Sequence, residues 1–145
     1  KFSSLKLVGL TGSVGKTTTK DMIYSVVSRR YSSIKTDGNL NNEIGMPKTL
    51  MRLSDITECA VIEMGMNHSG EIHRMSLAAK PDIAVITNIG VSHIEHLGSR
   101  KNIRKAKLEI LDGMKNGSKL IINGDNDMLC DYENTDFDII TNLPV

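Results

Sequence analysis

A glycine-rich loop between an apolar strand and a helix constrains this chain more than any other feature of its sequence. Residues 5–10 form an apolar run that predicts a buried strand, and residues 20–30 have the apolar spacing of a helix. The loop between them, residues 11–19, has the sequence TGSVGKTTT. Glycines let backbone N–H groups approach phosphate oxygens, and a helix N-terminus adds unpaired donors and partial positive charge. This order of elements predicts a phosphate-binding loop.

The loop lacks one glycine of the usual phosphate-loop pattern. Leu10 stands five residues before Gly15, where that pattern has a glycine, so the shorter Gly-x-x-Gly-Lys-Thr remains. We expect Lys16 to reach the outer phosphates and Thr17 to bind Mg²⁺ through its hydroxyl. The alternative is a glycine-rich turn that carries a surface lysine, but the flanking strand and helix favour the phosphate loop.

Composition limits the class of protein. A chain of 145 residues can form one domain with a substantial core. A net charge of +1 and only two Phe, three Tyr and no Trp argue against a nucleic-acid partner. Cys59 and Cys130 lack metal-ligand spacing and are interpreted as reduced thiols of a cytoplasmic protein, although two cysteines also permit a disulfide. The sequence contains no apolar stretch long enough for a transmembrane segment.

Strands and helices alternate along the chain. Apolar runs predict strands at residues 5–10, 31–36, 58–63, 82–88, 120–123 and 137–141. Helices are predicted between them, with Ser69 as the cap of the helix over 71–79 and with Met22, Ile23, Val26 and Val27 as the buried face of the first helix. This pattern predicts an α/β fold, a mostly parallel sheet with helices on both faces. Ligands bind to such sheets beyond the carboxyl ends of the strands.

Two predicted loops at that edge carry candidate metal ligands. Glu63 ends the third strand, where a carboxylate that binds Mg²⁺ is expected next to a phosphate loop. The alternative is a strand-end glutamate that faces water. His93 follows the fourth strand together with Glu95 and His96, which suggests a metal site, but histidine loops also occur without metal.

A lysine on the apolar face of a predicted helix is the second unusual feature. Lys107 lies four residues after Ile103 and three before Ile110, so all three share one face of the helix predicted over 101–114. Burial would lower the pKa of this lysine and leave more of the reactive neutral amine. Alternatively, the stem is buried while the ammonium reaches water. The pattern alone leaves both interpretations open.

With these residues in hand, the chain resembles the central, ATP-binding domain of the Mur ligase family. Its short loop is similar to the phosphate loop of that family, which explains the missing glycine. Residues 38–47, 63–65 and 87–93 also agree with family motifs in the same order. The resemblance covers about residues 8–127. It is strongest to the member that joins D-alanyl-D-alanine to a UDP-N-acetylmuramoyl-tripeptide.

The resemblance implies a role for each candidate residue. Lys16, His93 and Lys107 would be catalytic. Thr17 and Glu63 would bind one Mg²⁺ and His93 a second, which a carbamylated Lys107 would support. Asn41 and Asn42 match the region that contacts the UDP-linked substrate. The residues that would bind ATP are Gly12, Ser13, Val14, Gly15, Lys16, Thr17 and Thr18, with Asn123 near the adenine.

The implied activity is ATP-driven amide formation through an acyl phosphate, within a phosphate-loop NTPase-like fold. The expected protein is a cytoplasmic monomer whose partners are UDP-N-acetylmuramoyl-tripeptide and D-alanyl-D-alanine. Residues 1–145 are expected to be the central domain, incomplete at its C-terminal end and inactive without a UDP-binding domain before it and a further domain after it. The alternatives are a related ligase for another acid, a nucleotide-binding module without ligase chemistry, and a purely structural fragment.

Overall fold

One sheet of six parallel strands organises the part of the chain that this computed structural model describes, residues 5–141. The strands are β1 (Lys6–Thr11), β2 (Ser33–Lys35), β3 (Cys59–Glu63), β4 (Ile83–Ile86), β5 (Lys119–Ile122) and β6 (Asp138–Thr141). Their spatial order is β2-β3-β1-β4-β5-β6, and every neighbouring pair is parallel. The predicted parallel α/β sheet is confirmed, with each predicted strand found within a few residues of its expected bounds.

The helices connect these strands as the alternation predicted. They are α1 (Lys16–Val27), α2 (Gly45–Leu50), α3 (Glu71–Ala79), α4 (Ile94–Leu97) and α5 (Arg100–Leu108). A 3-10 turn, Glu109–Leu111, continues α5, so the helix predicted over 101–114 is shorter and changes form at its end. Helix α1 begins four residues earlier than predicted, directly at the lysine of the phosphate loop.

Both faces of the sheet are covered. Side chains alternate along a strand, so a strand buried on both sides is apolar throughout. On one face, Val8, Leu10 and Val61 pack against the apolar residues of α1. On the other face, Leu7, Ala60 and Ile62 belong to a larger core that includes α2, α3 and α5. The sheet is therefore a fixed platform whose carboxyl-end loops lie along one edge.

The buried face of α1 differs from the prediction. Ile23 and Val27 pack against the sheet as expected, but Met22 and Val26 are 65% and 69% exposed. The four apolar residues of this helix span two faces, and only one of them meets the sheet. The buried face also includes Lys20, which fits the spacing of residues 20, 23 and 27 on one side of a helix.

The predicted serine cap of α3 is wrong. Gly70 is the residue before the helix, with φ of 88°, and the carboxylate of Glu109 accepts hydrogen bonds from the N–H groups of Gly70 at 2.9 Å and His73 at 3.2 Å. Ser69 instead donates its hydroxyl to the same carboxylate at 2.8 Å. An anion at a helix N-terminus satisfies unpaired donors and opposes the helix dipole.

Both cysteines are free thiols, with Cys59 buried in the sheet and Cys130 exposed. The helices within residues 5–141 are too short or too polar for any of them to cross a membrane.

Candidate functional site

The phosphate loop connects the carboxyl end of β1 to the N-terminus of α1, as predicted. Gly15 precedes the helix with φ of 80°, a left-handed conformation that favours glycine. Gly12 lies against the next loop: a Cβ at this position would stand 1.8 Å from Thr87 Oγ1. The loop therefore needs glycine at both ends, once for its backbone angle and once for space.

The segment after β4 holds the loop in shape. Asn88 Oδ1 accepts hydrogen bonds from the N–H groups of both Ser13 and Val14 at 3.0 Å. The hydroxyl of Thr87 donates to the carbonyl of Val14 at 2.7 Å, and Gly90 N donates to Ser13 Oγ at 2.9 Å. The sequence analysis included residues 87–93 only as a family motif and missed their supporting role, because nothing in the local pattern shows which loop lies beside the phosphate loop.

Lys16 and Thr17 occupy the first turn of α1. The Lys16 ammonium donates to the carbonyl of Gly12 at 2.9 Å and so lies across the loop. Burial lowers the pKa of Lys16, and the nearby carboxylate of Glu63 opposes that shift. Thr17 Oγ1 donates to Glu63 Oε2 at 3.2 Å. The start of α1 therefore presents an ammonium and a hydroxyl. The carboxylate of Glu63 accepts a hydrogen bond from the hydroxyl and stabilises the charge of the ammonium.

Glu63 is buried, with 1% of its surface exposed, so the water-facing interpretation is wrong. Besides Thr17, it accepts a hydrogen bond from Asn41 Nδ2 to Oε1 at 2.8 Å. Lys20 lies 3.5 Å from Oε2 and is itself only 2% exposed. Sequence reasoning missed Lys20. Its position one turn after Lys16 was the available signal, since both then share one face of α1.

The Thr17–Glu63 pair fits a magnesium ion by its chemistry and spacing. Mg²⁺ prefers hard oxygen ligands at 2.0–2.1 Å in octahedral geometry, which places neighbouring ligand oxygens about 3 Å apart. The two oxygens here are 3.2 Å apart. Among residues 5–141 no group of three or more His, Cys, Asp and Glu side chains could hold a metal. A metal at this pair would therefore need further oxygens from a phosphate or from water.

A cleft of about 330 Å³ opens beside these residues. It brings together Lys16, Asn41, Asn42 and His93, four of the residues predicted from the sequence. The side chain of Asn42 accepts hydrogen bonds from the N–H groups of Ile44 and Gly45, so it also shapes the start of α2. The predicted substrate-contacting loop and the phosphate loop thus face one cavity.

Lys107 and His93 bring further basic groups to this edge. Lys107 is 1% exposed, which excludes an ammonium extended into water, and burial together with the charge of Lys16 lowers its pKa to about 7. His93 has φ of 67°, and its pKa is lowered by burial and by the charges of Lys107 and Lys16. The three residues affect one another electrostatically, so they form a basic cluster suited to an anion.

Asn123 lies apart from the cleft. It follows β5, and its side-chain oxygen accepts a hydrogen bond from Asp125 N at 3.0 Å. Its neighbour Asn126 instead contacts the segment after β4, because its Oδ1 accepts from Ile89 N at 3.3 Å. Thr18 is exposed on α1. Asn123 therefore lies at the carboxyl edge of the sheet but does not line the cleft, whereas Thr18 is in the first turn of α1 together with Lys16 and Thr17.

Comparison with known proteins identifies the family. Residues 10–142 match the sequence profile of the Mur ligase middle domain, and the chain belongs to this family. Over 124 residues it is 53% identical to the UDP-N-acetylmuramoyl-tripeptide--D-alanyl-D-alanine ligase of Bacillus subtilis, a match that covers 86% of this chain and 27% of that protein. The resemblance inferred from the motifs is confirmed. The chain thus spans about a quarter of the length of this relative.

Solved structures agree with the fold. MurF from Acinetobacter baumannii superposes with a TM-score of 0.91 at 37% identity, covering 97% of this chain and 31% of that one. The MurF ligase from Thermotoga maritima, solved in complex with ADP, superposes with a TM-score of 0.87 at 33% identity, covering 95% and 32%. The predicted sheet with a phosphate loop is therefore the fold of a Mur ligase middle domain.

Proposed function

We propose that this chain is the ATP-binding domain of a ligase that joins D-alanyl-D-alanine to UDP-N-acetylmuramoyl-tripeptide. The observation that carries the proposal is the buried carboxylate of Glu63, which accepts the hydroxyl of Thr17 beside Lys16 and the phosphate loop. The activity of the Bacillus subtilis relative and the ADP bound in the Thermotoga maritima structure support the substrates and the nucleotide. The rest of such a ligase, outside the matched quarter, would bind the UDP group and the dipeptide.

The residues of the phosphate loop position the reacting groups. Lys16 would hold the β- and γ-phosphates of ATP and stabilise negative charge on the transferred phosphoryl group. The substrate carboxylate attacks the γ-phosphorus, which forms an acyl phosphate and releases ADP. The amine of D-alanyl-D-alanine then attacks the acyl carbon, loses a proton, and expels inorganic phosphate. Holding the reactants in line and neutralising the charge on the phosphates together supply most of the acceleration expected of such a site.

Thr17 and Glu63 are the residues that would hold the first Mg²⁺, and His93, kept neutral by its lowered pKa, would hold the second. A bound Mg²⁺ neutralises charge on the phosphates. Asn41 and Asn42 line the cleft with Lys16, which supports a role in contacting the UDP-linked substrate. Asn123, directly after β5, would contact the adenine in this proposal.

A carbamate on Lys107 would change the charge of the basic cluster. The neutral amine adds to CO₂ and loses one proton, which gives a carbamate anion in place of a cation. The pKa of Lys107, about 7, leaves a large fraction of neutral amine near neutral pH. A new anion beside Lys16 and His93 would balance their charges. Incubation with ¹³C-bicarbonate should give one carbamate carbon signal in NMR spectra. The signal should vanish in Lys107→Gln and persist in Lys105→Gln, a control on the exposed face of α5.

Phosphate release by the full-length protein that contains this domain tests the function. ATP is supplied with both proposed substrates and with each alone. Release that needs both supports the ligase, whereas release with neither indicates a nucleotide-hydrolysing module. Release only with another acid would indicate a related ligase. Lys16→Ala should lower the rate by orders of magnitude, and an unchanged rate would refute the assigned role of the loop.

A further inference from the structure

We propose that Lys20 is the resident counter-ion of Glu63 and makes divalent-metal binding at this carboxylate depend on bound polyphosphate. The proposal rests on the metal role given above to Thr17 and Glu63. It concerns a residue that the phosphate-loop pattern does not include, because Lys20 lies beyond the loop, in the second turn of α1.

The geometry places Lys20 as a substitute for a metal cation. Its ammonium lies 3.5 Å from Glu63 Oε2, the same oxygen that accepts the Thr17 hydroxyl at 3.2 Å. Both side chains are almost completely buried, so water screens the pair weakly. Asn41 holds the other carboxylate oxygen at 2.8 Å. The carboxylate is thus neutralised and oriented by the protein's own groups.

A buried carboxylate without a partner would be costly, which explains why a cation is kept beside it. The same cation opposes a second one. A divalent ion bound to Glu63 Oε2 would lie within a few ångströms of the Lys20 ammonium, and this repulsion is strong where the effective dielectric constant is low. Asp21 is the other anion near Lys20, at 3.8 Å, but Lys35 already holds Asp21 at 2.7 Å.

Additional negative charge is therefore needed before a divalent ion binds well. A polyphosphate on the adjacent loop would supply that charge together with oxygen ligands. In this arrangement Lys20 disfavours metal binding to the empty site and favours entry of the metal with the nucleotide. We therefore expect the affinity for the metal to be low without nucleotide and to rise when nucleotide is bound, because of the charge on Lys20.

Mn²⁺ binding, followed by electron paramagnetic resonance, tests this inference with and without ADP. The wild-type chain should bind Mn²⁺ weakly alone and much more tightly with ADP. In the absence of ADP, Lys20→Met should bind Mn²⁺ about tenfold more tightly than wild type, since a like charge is removed. Lys20→Gln, which keeps a polar group beside Glu63, should show the same gain. Lys20→Arg, which keeps the charge, should behave as wild type.

Lys35→Met is the matched control, because it removes the other lysine on Asp21 without touching Glu63. It should leave Mn²⁺ affinity unchanged. Unchanged or weaker Mn²⁺ binding in folded Lys20→Gln or Lys20→Met would overturn the counter-ion role. Failure of the proposed function is separate: wild type would then not bind Mn²⁺ with ADP, whatever the variants do. Thermal unfolding of each variant, recorded in parallel, identifies those that are folded.

Discussion

Lys20 and Lys107 are both buried lysines, but they differ in what they face. Lys20 lies on α1 within 3.5 Å of the carboxylate of Glu63, so its charge has an opposite partner. Lys107 lies on α5 among apolar residues, and the charge that acts on its pKa is a second cation, Lys16. A buried charge is tolerated when it is paired and otherwise tends to be given up. One lysine is therefore suited to remain a cation and the other to react as a neutral amine.

Removal of Glu63 should cause the largest loss of stability, because it takes away the carboxylate that distinguishes Lys20 from Lys107. Glu63→Ala would remove the nearer counter-charge of the buried Lys20 and leave only Asp21, at 3.8 Å and shared with Lys35, so Lys20 would come closer to the situation of Lys107. Breaking a buried ion pair from one side costs about 3 kcal/mol or more. We expect a decrease of that size in the free energy of unfolding by urea. Asp55→Ala, at an exposed position in the turn before β3, is the control and should change it little.

Lys107→Met should change how stability depends on pH. The folded-state pKa of Lys107 is about 7 instead of 10.5, so between these values the unfolded chain binds more protons than the folded one. Wild-type stability should then rise with pH in this window, by up to about 1.4 kcal/mol per unit from this group. The variant lacks this contribution. Its advantage over wild type should be largest at pH 7 and should shrink towards pH 9, as measured by urea unfolding. If the difference in free energy of unfolding between variant and wild type did not vary with pH, folding would not lower the pKa of Lys107.

Asn41→Ala measures how much the neutral partner of Glu63 contributes to stability, independently of the charged partner Lys20. The variant loses the amide that donates to Oε1, but the Lys20 ion pair remains. The loss of one partly buried hydrogen bond predicts a decrease of about 1 kcal/mol in the free energy of unfolding. Asn39→Ala, on the exposed part of the same loop, is the comparison variant. An effect as large as that of Glu63→Ala would mean that the amide, and not Lys20, holds the carboxylate.

Lys35→Met should have the smallest effect. Its ion pair with Asp21 is partly exposed, and exposed pairs contribute little to stability. We expect a urea midpoint that does not differ measurably from wild type. A clear loss would show that the pair between Lys35 and Asp21 also supports Lys20.

The fold could be predicted from the sequence because its signals are local. Alternating apolar runs and helical spacing identified six strands and predicted that they form a parallel sheet. The spacing of Ile103, Lys107 and Ile110 predicted a lysine that faces the core. Where two faces of one helix were both apolar, as at Met22 and Val26, the sequence did not show which face meets the sheet. That choice depends on how the helix packs, which is a property of the folded chain.

The site was predictable only in part, for a related reason. Lys16, Thr17 and Glu63 have recognisable positions after strands, and the structure brings them together. The supporting contacts join distant segments: Asn88 holds the phosphate loop, and Lys20 on α1 meets Glu63 at the end of β3. Such pairs leave no local pattern. The roles of His93 and Lys107 as a metal ligand and a carbamate stay predictions.

The carboxylate of Glu109 has a consequence for the way the molecule opens. It bonds to the N–H groups of Gly70 and His73, and it belongs to the turn that continues the helix of Lys107. Because detachment of the start of α3 would break the hydrogen bonds of this carboxylate, we expect the turn to be released with it. Amide hydrogen exchange at Gly70 and His73 should therefore follow the same opening event as the amides around Ile110. We therefore expect the start of α3, where Glu71 lines the cleft, and the turn that follows Lys107 to open as one cooperative unit.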